Sequence, residues 1–283
     1  MARNNIFEIL AQTNVNDEAN RLNRLFVKEK TIQCGSTQFT LKDYVSIYCF
    51  DDWASRGHCL DMDDFLNATR YDIEKFMVSR SIDSFFTVVE IIFNCWKMAE
   101  RTLGIGHIKA KALPNFNRLY NIMVECLSHY NQRAIYDEEK EQILIVADKA
   151  EVTAVAEIVS IPLARSIVRY NHRSLKGDIK TKKSILLELG TELEPKRKAL
   201  LGMNKELEDK IFFMLNNIDL RHNNRSHGDK NYKEAVANMD DSELEDWYDE
   251  LYQMMLLAFL ELDQITRNTK VDGLKAKIAG GTT

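Results

Sequence analysis

The chain has 283 residues, of which 45% are hydrophobic, and it carries a formal net charge of -5 at pH 7. Its length and apolar content suffice for one large packed domain or two small ones, and its acidic balance argues against a surface that coats nucleic acid throughout. The five cysteines are an odd number without a Cys-x-x-Cys pair, which argues against a disulfide framework and against a zinc site. With only three prolines and few runs of period two, the composition predicts an all-α protein.

The N-terminus and the apolar runs are typical of a cytoplasmic protein. Polar residues interrupt residues 1–12, which therefore lack the apolar core of a secretory signal. The longest apolar runs, such as residues 254–260, are too short to cross a bilayer. The chain has no Gly-x-x-x-x-Gly-Lys phosphate loop, no His-Glu-x-x-His motif and no Gly-x-Ser-x-Gly motif. We therefore expect neither a cofactor nor a metal.

One cluster near residue 60 offers a metal site as an alternative. His58 and Cys59 are followed by Asp61, Asp63 and Asp64, all of them residue types that bind metals. Their spacing matches no familiar ligand set. We favour the other interpretation, a solvated helix start that Asp61 caps.

Residues 1–75 are predicted to form a helical N-terminal region. The spacing of apolar residues predicts helices over residues 17–30, 40–53 and 61–71, separated by glycines. The strongest core signal follows at residues 81–103, which are apolar around nearly the whole helix circumference. A helix of this kind and length belongs in the middle of a bundle.

Residues 76–267 are predicted to form the main helical bundle. Further helices are expected over residues 116–131 and 137–159, and the second of them opens a helical insertion at about residues 137–201. After residue 267 the periodic pattern ends, so residues 268–283 are predicted to be a flexible tail.

A basic stripe is predicted within the insertion. Arg165, Arg169 and Arg173 lie four residues apart, and Lys176 and Lys180 continue nearly the same helix face. A row of such charges can follow the phosphates of a nucleic acid, which predicts an RNA-binding edge. The alternative is a solvated helix face that binds nothing.

A polar turn between two amphipathic helices is the feature around which the rest is organised. Apolar residues recur with helical spacing over residues 204–218 and again over residues 244–265. Residues 221–229, between them, contain no apolar side chain. Ser242, with Glu245 three residues later, predicts a capping box at the start of the second helix.

The turn carries an arginine and a histidine that together suffice for cleavage of RNA. Arg221 offers fixed donors that fit phosphate oxygens, and it stays charged. His227 supplies an imidazole, the side chain that most often accepts or delivers a proton in catalysis. The ribose 2′-hydroxyl would attack the phosphorus while the arginine stabilises the charge on the phosphate oxygens, and no metal is required. The alternative is that both residues only cap helix ends and bind water.

The first helix, the Arg-His-Asn-Asn-Arg-Ser-His turn and the closing apolar helix resemble the HEPN superfamily of ribonucleases. The motif of that family is an arginine, usually followed by a polar residue, and a histidine after four to six intervening residues. Arg221 and His227 have five residues between them, and His222 is the polar follower. The resemblance covers residues 204–267 and implies an all-α HEPN-type bundle, metal-independent RNA cleavage and a homodimer. It also implies a toxin or an anti-phage effector of abortive infection, with an antitoxin or a phage-derived trigger as a further partner.

Two other pairs fit the same spacing, and their context differs. Arg101 and His107 enclose apolar residues at the end of a helix, and Arg165 and His172 lie within a predicted continuous helix. Only the pair in the wholly polar turn at residues 221–227 lies between two apolar helices.

The remaining polar residues of the turn are predicted to support this pair. Asn223, Asn224 and Asp229 can fix the tautomer of the histidine or hold the phosphate, and they can equally be turn formers. We expect His222 to orient other groups and Arg225 to supply a second phosphate contact. The competing function for the whole chain is a non-catalytic helical module that binds RNA or a protein partner.

Overall fold

The structure is a computed structural model that describes residues 15–69, 82–104 and 109–280. Most of these residues are helical, which confirms the largely helical fold expected from the sequence. Two small antiparallel sheets are also present, so the all-α prediction is correct only in its coarser form.

The chain divides by its internal contacts into two units, Met1–Ala147 and Asp148–Thr283. The sequence places the end of its N-terminal region near residue 75 instead. The predicted bundle of residues 76–267 therefore extends over both units, whereas the polar turn at residues 221–229 lies wholly within the second.

The first unit is built around one helix that is buried on nearly all sides. Its described elements, in chain order, are α1 (Val15–Val27), β1 (Ile32–Cys34), β2 (Thr37–Phe39), α2 (Leu41–Tyr48), α3 (Met62–Ala68), α4 (Ile82–Thr102), β3 (Ala110–Ala112), α5 (Pro114–His129), β4 (Gln132–Asp137) and β5 (Gln142–Ala147). Helix α4 packs against α1, α2, α5 and β5, as its apolar circumference predicts. Ser81, its predicted first residue, lies outside the described residues.

Strands β1, β2 and β3 form the first sheet, in which β1 is central and pairs antiparallel with both neighbours. Gly35 has a φ of 58°, a value that glycine adopts without the steric cost of a side chain, and it begins the two-residue turn between β1 and β2. The sequence analysis treated this glycine only as a helix interruption. A short run of β-branched and polar residues on each side of it was the missed hairpin signal.

Strands β4 and β5 pair over their full length as a second hairpin. The predicted helix over residues 137–159 is therefore wrong in its first half. Residues 142–147 place aliphatic side chains next to one another without helical spacing, which favours a strand. Asn94 of α4 satisfies the backbone of β5, because its Oδ1 accepts from the N–H of Ile143 at 2.7 Å and its Nδ2 donates to the same residue's carbonyl at 2.9 Å.

The second unit consists of helices, of which the last is much the longest. Its α-helices are α6 (Ala150–Ala156), α7 (Ile161–Tyr170), α8 (Ile179–Leu193), α9 (Arg197–Met203), α10 (Lys205–Asn217), α11 (Glu234–Ala237) and α12 (Asp241–Gly280). Helix α12 has 40 residues and is about 60 Å long. It continues through most of residues 268–283, where the sequence predicts a flexible tail, and its residues beyond 263 are exposed. None of the helices in the described ranges is both long and apolar enough to cross a membrane.

Helix α12 starts differently from the predicted capping box. Asp240, not Ser242, provides the cap, since its Oδ1 accepts from the backbone N–H of Glu243 at 2.8 Å. Glu245, the predicted reciprocal partner, binds the N–H of Gly177 at 2.9 Å instead.

A buried lysine fastens α8 to α12. Lys182 is 5% exposed, and its Nζ lies 2.8 Å from Glu245 Oε1 and 2.6 Å from Asp249 Oδ1. The Tyr170 hydroxyl donates to the same Asp249 oxygen at 2.8 Å. Because a buried charge needs partners of opposite sign, these contacts fix α12 beside α8, whose far end leads to Glu194.

Candidate functional site

The polar turn between α10 and α11 is held together by one buried side chain. Asn224 is 0% exposed, its Oδ1 accepts from the N–H of Asp219 at 2.9 Å, and its Nδ2 donates to the carbonyl of Asn231 at 2.7 Å. The carbonyl of Asn224 accepts from the N–H of Lys233 at 2.8 Å. These bonds join the beginning of the turn to its end. Of the roles open to Asn224, the geometry favours that of a turn former.

Arg221 follows α10 with its guanidinium held on two sides. Its Nη2 donates to Glu194 Oε2 at 2.5 Å, and its guanidinium carbon lies 5.5 Å from the centre of the Phe212 ring. A Cβ at Gly190 would lie 3.1 Å from the δ carbons of Leu215 and in ordinary contact with this Nη2, at 3.7 Å, so the absent side chain mainly leaves room for Leu215. The side chain of Arg221 is 26% exposed, which makes the guanidinium both positioned and reachable from solvent.

His227 is exposed and is oriented by an aromatic neighbour. Its ring stacks on Tyr232 with the ring centroids 4.3 Å apart and an interplanar angle of 28°. The Tyr232 hydroxyl lies 3.3 Å from His227 Nε2. Within the described residues Nδ1 has no protein partner, so this nitrogen is open to solvent and to a bound molecule. An exposed, oriented imidazole can exchange a proton with a bound molecule.

Arg221 and His227 share no hydrogen bond or ring contact within the described part of the chain. The contacts of Arg221 are on α10 and at the end of α8, whereas the contact of His227 is on the later part of the turn. One chain therefore presents the two groups separately, and a phosphate that used both would have to bridge them.

Arg225 fastens the turn to the start of α12. Its Nη1 donates to Asp241 Oδ1 at 2.9 Å, and its Nη2 donates to the carbonyl of Met239 at 2.9 Å. Both ends of the guanidinium are used by the protein itself. This arrangement favours a structural role over the predicted second phosphate contact.

His222 and Asn223 are exposed and surround the carboxylate of Asp229. The N–H of Asn231 donates to Asp229 Oδ1 at 2.8 Å, and this bond holds the pKa of the Asp229 carboxyl below its ordinary value. The Asn223 side chain and the charge of His222 act on that pKa in the same direction. In the described contacts no hydrogen bond joins Asp229 to His227, and His222 acts on the carboxylate only through its charge.

The other two arginine–histidine pairs have different surroundings. His172 is buried, and its Nδ1 is hydrogen-bonded to the Ser174 hydroxyl at 2.7 Å. It precedes a short 3-10 turn at Arg173–Leu175, and α7 ends at Tyr170, so the predicted continuous helix is wrong. His107 lies outside the described residues.

The basic stripe is likewise divided among several elements. Arg165 and Arg169 lie on α7, and Arg173 lies on the 3-10 turn. Lys176 follows that turn, and Lys180 is on α8. Gly177, with a φ of 79°, marks the break. Arg169 and Lys180 still lie near one carboxylate, that of Asp178. Hydrogen bonds from Thr181 lower the pKa of Asp178, and the charges of Arg169 and Lys180 lower it further.

The acidic cluster near residue 60 forms a helix start. Asp61 Oδ1 accepts from the N–H of Asp64 at 2.8 Å at the beginning of α3, which confirms the predicted cap. Among residues 15–69, 82–104 and 109–280, no three His, Cys, Asp or Glu side chains are grouped as metal ligands.

Three side chains that shape the site were not predicted from the sequence, namely Glu194, Phe212 and Tyr232. Glu194 lies 27 positions before Arg221, and no local pattern connects the two. Tyr232 follows His227 by five positions, and a lone aromatic residue near a polar turn was a usable signal. Comparisons of the chain with protein-family models, with curated proteins and with solved structures found no match.

Proposed function

We propose that this chain is a metal-independent endoribonuclease that cleaves RNA with Arg221 and His227. The observation that carries the proposal is a turn fixed from inside by Asn224, which presents a positioned guanidinium and an oriented imidazole at the surface. The resemblance of residues 204–267 to HEPN ribonucleases supports the same assignment. RNA is the substrate because its own 2′-hydroxyl supplies the nucleophile.

In this mechanism the 2′-oxygen forms a bond to phosphorus and the bond from phosphorus to the 5′-oxygen breaks. His227 takes the proton of the 2′-hydroxyl or delivers one to the leaving 5′-oxygen, and its unpartnered Nδ1 is placed for this exchange. Arg221 stabilises the negative charge that builds on the non-bridging oxygens. The products are a 2′,3′-cyclic phosphate and a 5′-hydroxyl.

Glu194 is the group with which the RNA phosphate would compete. The Glu194 carboxylate accepts a hydrogen bond from Arg221 at 2.5 Å, so it occupies the place on the guanidinium that the phosphate needs in this mechanism. An exposed ion pair contributes only about 0–1 kcal/mol, and a phosphate offers a bidentate alternative. The contact with Phe212 holds the guanidinium in place while its partner changes.

A homodimer would bring a second copy of His227 to the phosphate. With two such imidazoles, one can accept the 2′ proton while the other delivers the 5′ proton, whereas a single one serves one transfer and leaves the other to water. A two-fold axis near the turn would bring two copies of Arg221 and His227 to one phosphate, and two-fold dimers are the commonest soluble oligomers. The family resemblance supports the same arrangement.

The cleavage chemistry tests the proposal directly. Purified protein should cleave RNA in excess chelator, leave DNA intact and produce 2′,3′-cyclic phosphate ends, while Arg221→Ala and His227→Ala should each abolish cleavage. His129→Ala and Arg267→Ala, which remove an exposed histidine and an exposed arginine elsewhere, are the matched controls. Cleavage of DNA, loss of activity with chelator, or full activity of both site variants would refute the mechanism.

The biological class that fits this activity is a cytoplasmic toxin or an anti-phage effector of abortive infection. An enzyme that cuts cellular RNA slows growth unless it is restrained, which implies an antitoxin or a phage-derived trigger as partner. Induction should therefore slow growth of the host, and the Arg221→Ala and His227→Ala variants should each relieve this effect.

The alternative function is a non-catalytic helical module that binds RNA or a protein. It is favoured by the separation of Arg221 from His227 and by the basic residues near α7 and the start of α8. The two functions differ in RNA cleavage, because a binding module retains RNA without cutting it. If the chain is such a module, hosts that express Arg221→Ala or His227→Ala should grow as hosts that express the wild type do.

A further inference from the structure

A basic pocket lies in the first unit, between α1 and the start of α5. Its volume is about 380 Å³, at the lower end of the range for small-molecule sites. Its lining is Arg21, Arg24, Leu25, Glu29, Asn115 and Arg118. The candidate ribonuclease turn belongs to the second unit, so this pocket is a separate feature.

The three arginines differ in how far the protein neutralises them. Arg21 Nη1 lies 3.0 Å from Glu18 Oε1, and Arg24 Nε lies 2.7 Å from Glu29 Oε1. Arg118 forms neither a hydrogen bond nor an ion pair within the described residues. Glu18 and Glu29 pair with two of the three arginines, so the cluster carries one net positive charge.

The N-terminus of α5 adds to the attraction for an anion. Helix α5 has 16 residues, and its N-cap, Leu113, makes no side-chain hydrogen bond. The positive end of the helix dipole is therefore not neutralised by a cap at the rim that carries Asn115 and Arg118. The Asn115 amide donates to the carbonyl of Lys30 at 3.3 Å, which fixes this rim to the segment after α1.

We propose that this pocket binds the phosphate group of a small phosphorylated ligand. Arginine forks match phosphate oxygens, and two helices bring three of them to one concave site. RNA would require charges spaced along a track, and it would favour aromatic platforms for its bases, whereas the pocket lining contains no aromatic residue. The phosphate group is therefore what the pocket recognises, and the ligand is compact.

Isothermal titration of the full chain with inorganic pyrophosphate tests the proposal, and inorganic phosphate and a short RNA oligonucleotide serve as comparison ligands. Arg118→Gln should weaken pyrophosphate binding about tenfold, since it removes a charged hydrogen-bonding group without an acidic partner. Glu29→Gln should tighten binding, because it removes the carboxylate that faces the anion and frees Arg24. Arg101→Gln, which makes the same charge change on α4 away from the pocket, is the control and should leave binding unchanged.

The opposite effects of Arg118→Gln and Glu29→Gln protect the test from a folding defect, since a damaged fold cannot bind more tightly. If Arg118→Gln and Arg101→Gln weaken pyrophosphate binding equally, the effect comes from the net charge of the protein and the proposal is overturned. An absence of pyrophosphate binding by the wild-type chain would also overturn it. RNA binding that depends on Arg118 and that pyrophosphate does not displace would assign the pocket to RNA instead. The readout is binding, so the result does not depend on whether the chain cleaves RNA.

Discussion

Removal of the Asn224 side chain should destabilise the turn that carries the candidate site. In Asn224→Ala the N–H of Asp219 and the carbonyl of Asn231 lose their partners at 2.9 and 2.7 Å. The Asn224 side chain is fully buried, whereas Asp219 and Asn231 are half-buried, so water replaces part of each lost bond. One unsatisfied buried group costs about 1–3 kcal/mol, and the two half-buried groups together should cost about that much. Asp219 has a φ of 60°, a left-handed conformation that Asp adopts more readily than most residues, and its carboxylate is also held by Lys183 Nζ at 3.1 Å.

Urea unfolding measures the global effect, and hydrogen exchange of peptides that cover residues 218–233 measures the local one. Asn223→Ala is the matched control, since it removes an exposed amide one position earlier and should change the unfolding free energy by less than about 0.5 kcal/mol. Asn224→Asp keeps the acceptor for Asp219 but repels the carbonyl of Asn231, so it should also destabilise. If Asn224→Ala matches Asn223→Ala in both measurements, the turn does not depend on this side chain and the argument for a rigid site fails.

Two further predictions concern RNA binding and assembly. Conversion of Arg165, Arg169 and Arg173 to Glu should weaken RNA binding and flatten its salt dependence, because fewer counterions are released; an unchanged salt slope measured by titration would make these residues a solvated surface. A mixture of Arg221→Ala and His227→Ala chains should recover part of the cleavage activity if the site is shared across a two-fold axis. A mixture as inactive as either parent would place each site within one chain, and light scattering that finds an active monomer would rule out the homodimer.

Helices were predictable from the sequence because the periodic pattern of apolar residues in a helix extends over many residues. Helix α4 presents apolar residues around its circumference over 21 residues, and no other element accounts for such a pattern. Strands β1, β2 and β3 have three residues each, too few for a period-two pattern to stand out. The strand β5 was mistaken for a helix because its apolar run, residues 143–147, is short enough to fit either structure, and only its pairing with β4 decides between them.

The candidate site was predictable only in its local part. The position of Arg221 and His227 in a polar turn follows from the missing apolar residues, but the partners of these side chains come from elsewhere. Glu194 approaches Arg221 through the packing of α8 against α12, which depends on the buried Lys182. The sequence does not indicate that Lys182 is buried, because nothing in it shows that two carboxylates of α12 lie opposite this lysine.

The contact between Glu194 and Arg221 is better understood as positioning than as blocking. With side-chain exposures of 46% and 26%, the pair is reached by water and ions, so its contribution is limited to about 0–1 kcal/mol. A phosphate that binds Arg221 therefore gives up little when it replaces the carboxylate. The Phe212 ring stays in place during that exchange, because it is buried on α10 and does not itself bind Glu194. The guanidinium would thus meet the phosphate in an orientation already set by α8 and α10, which lowers the entropic cost of binding.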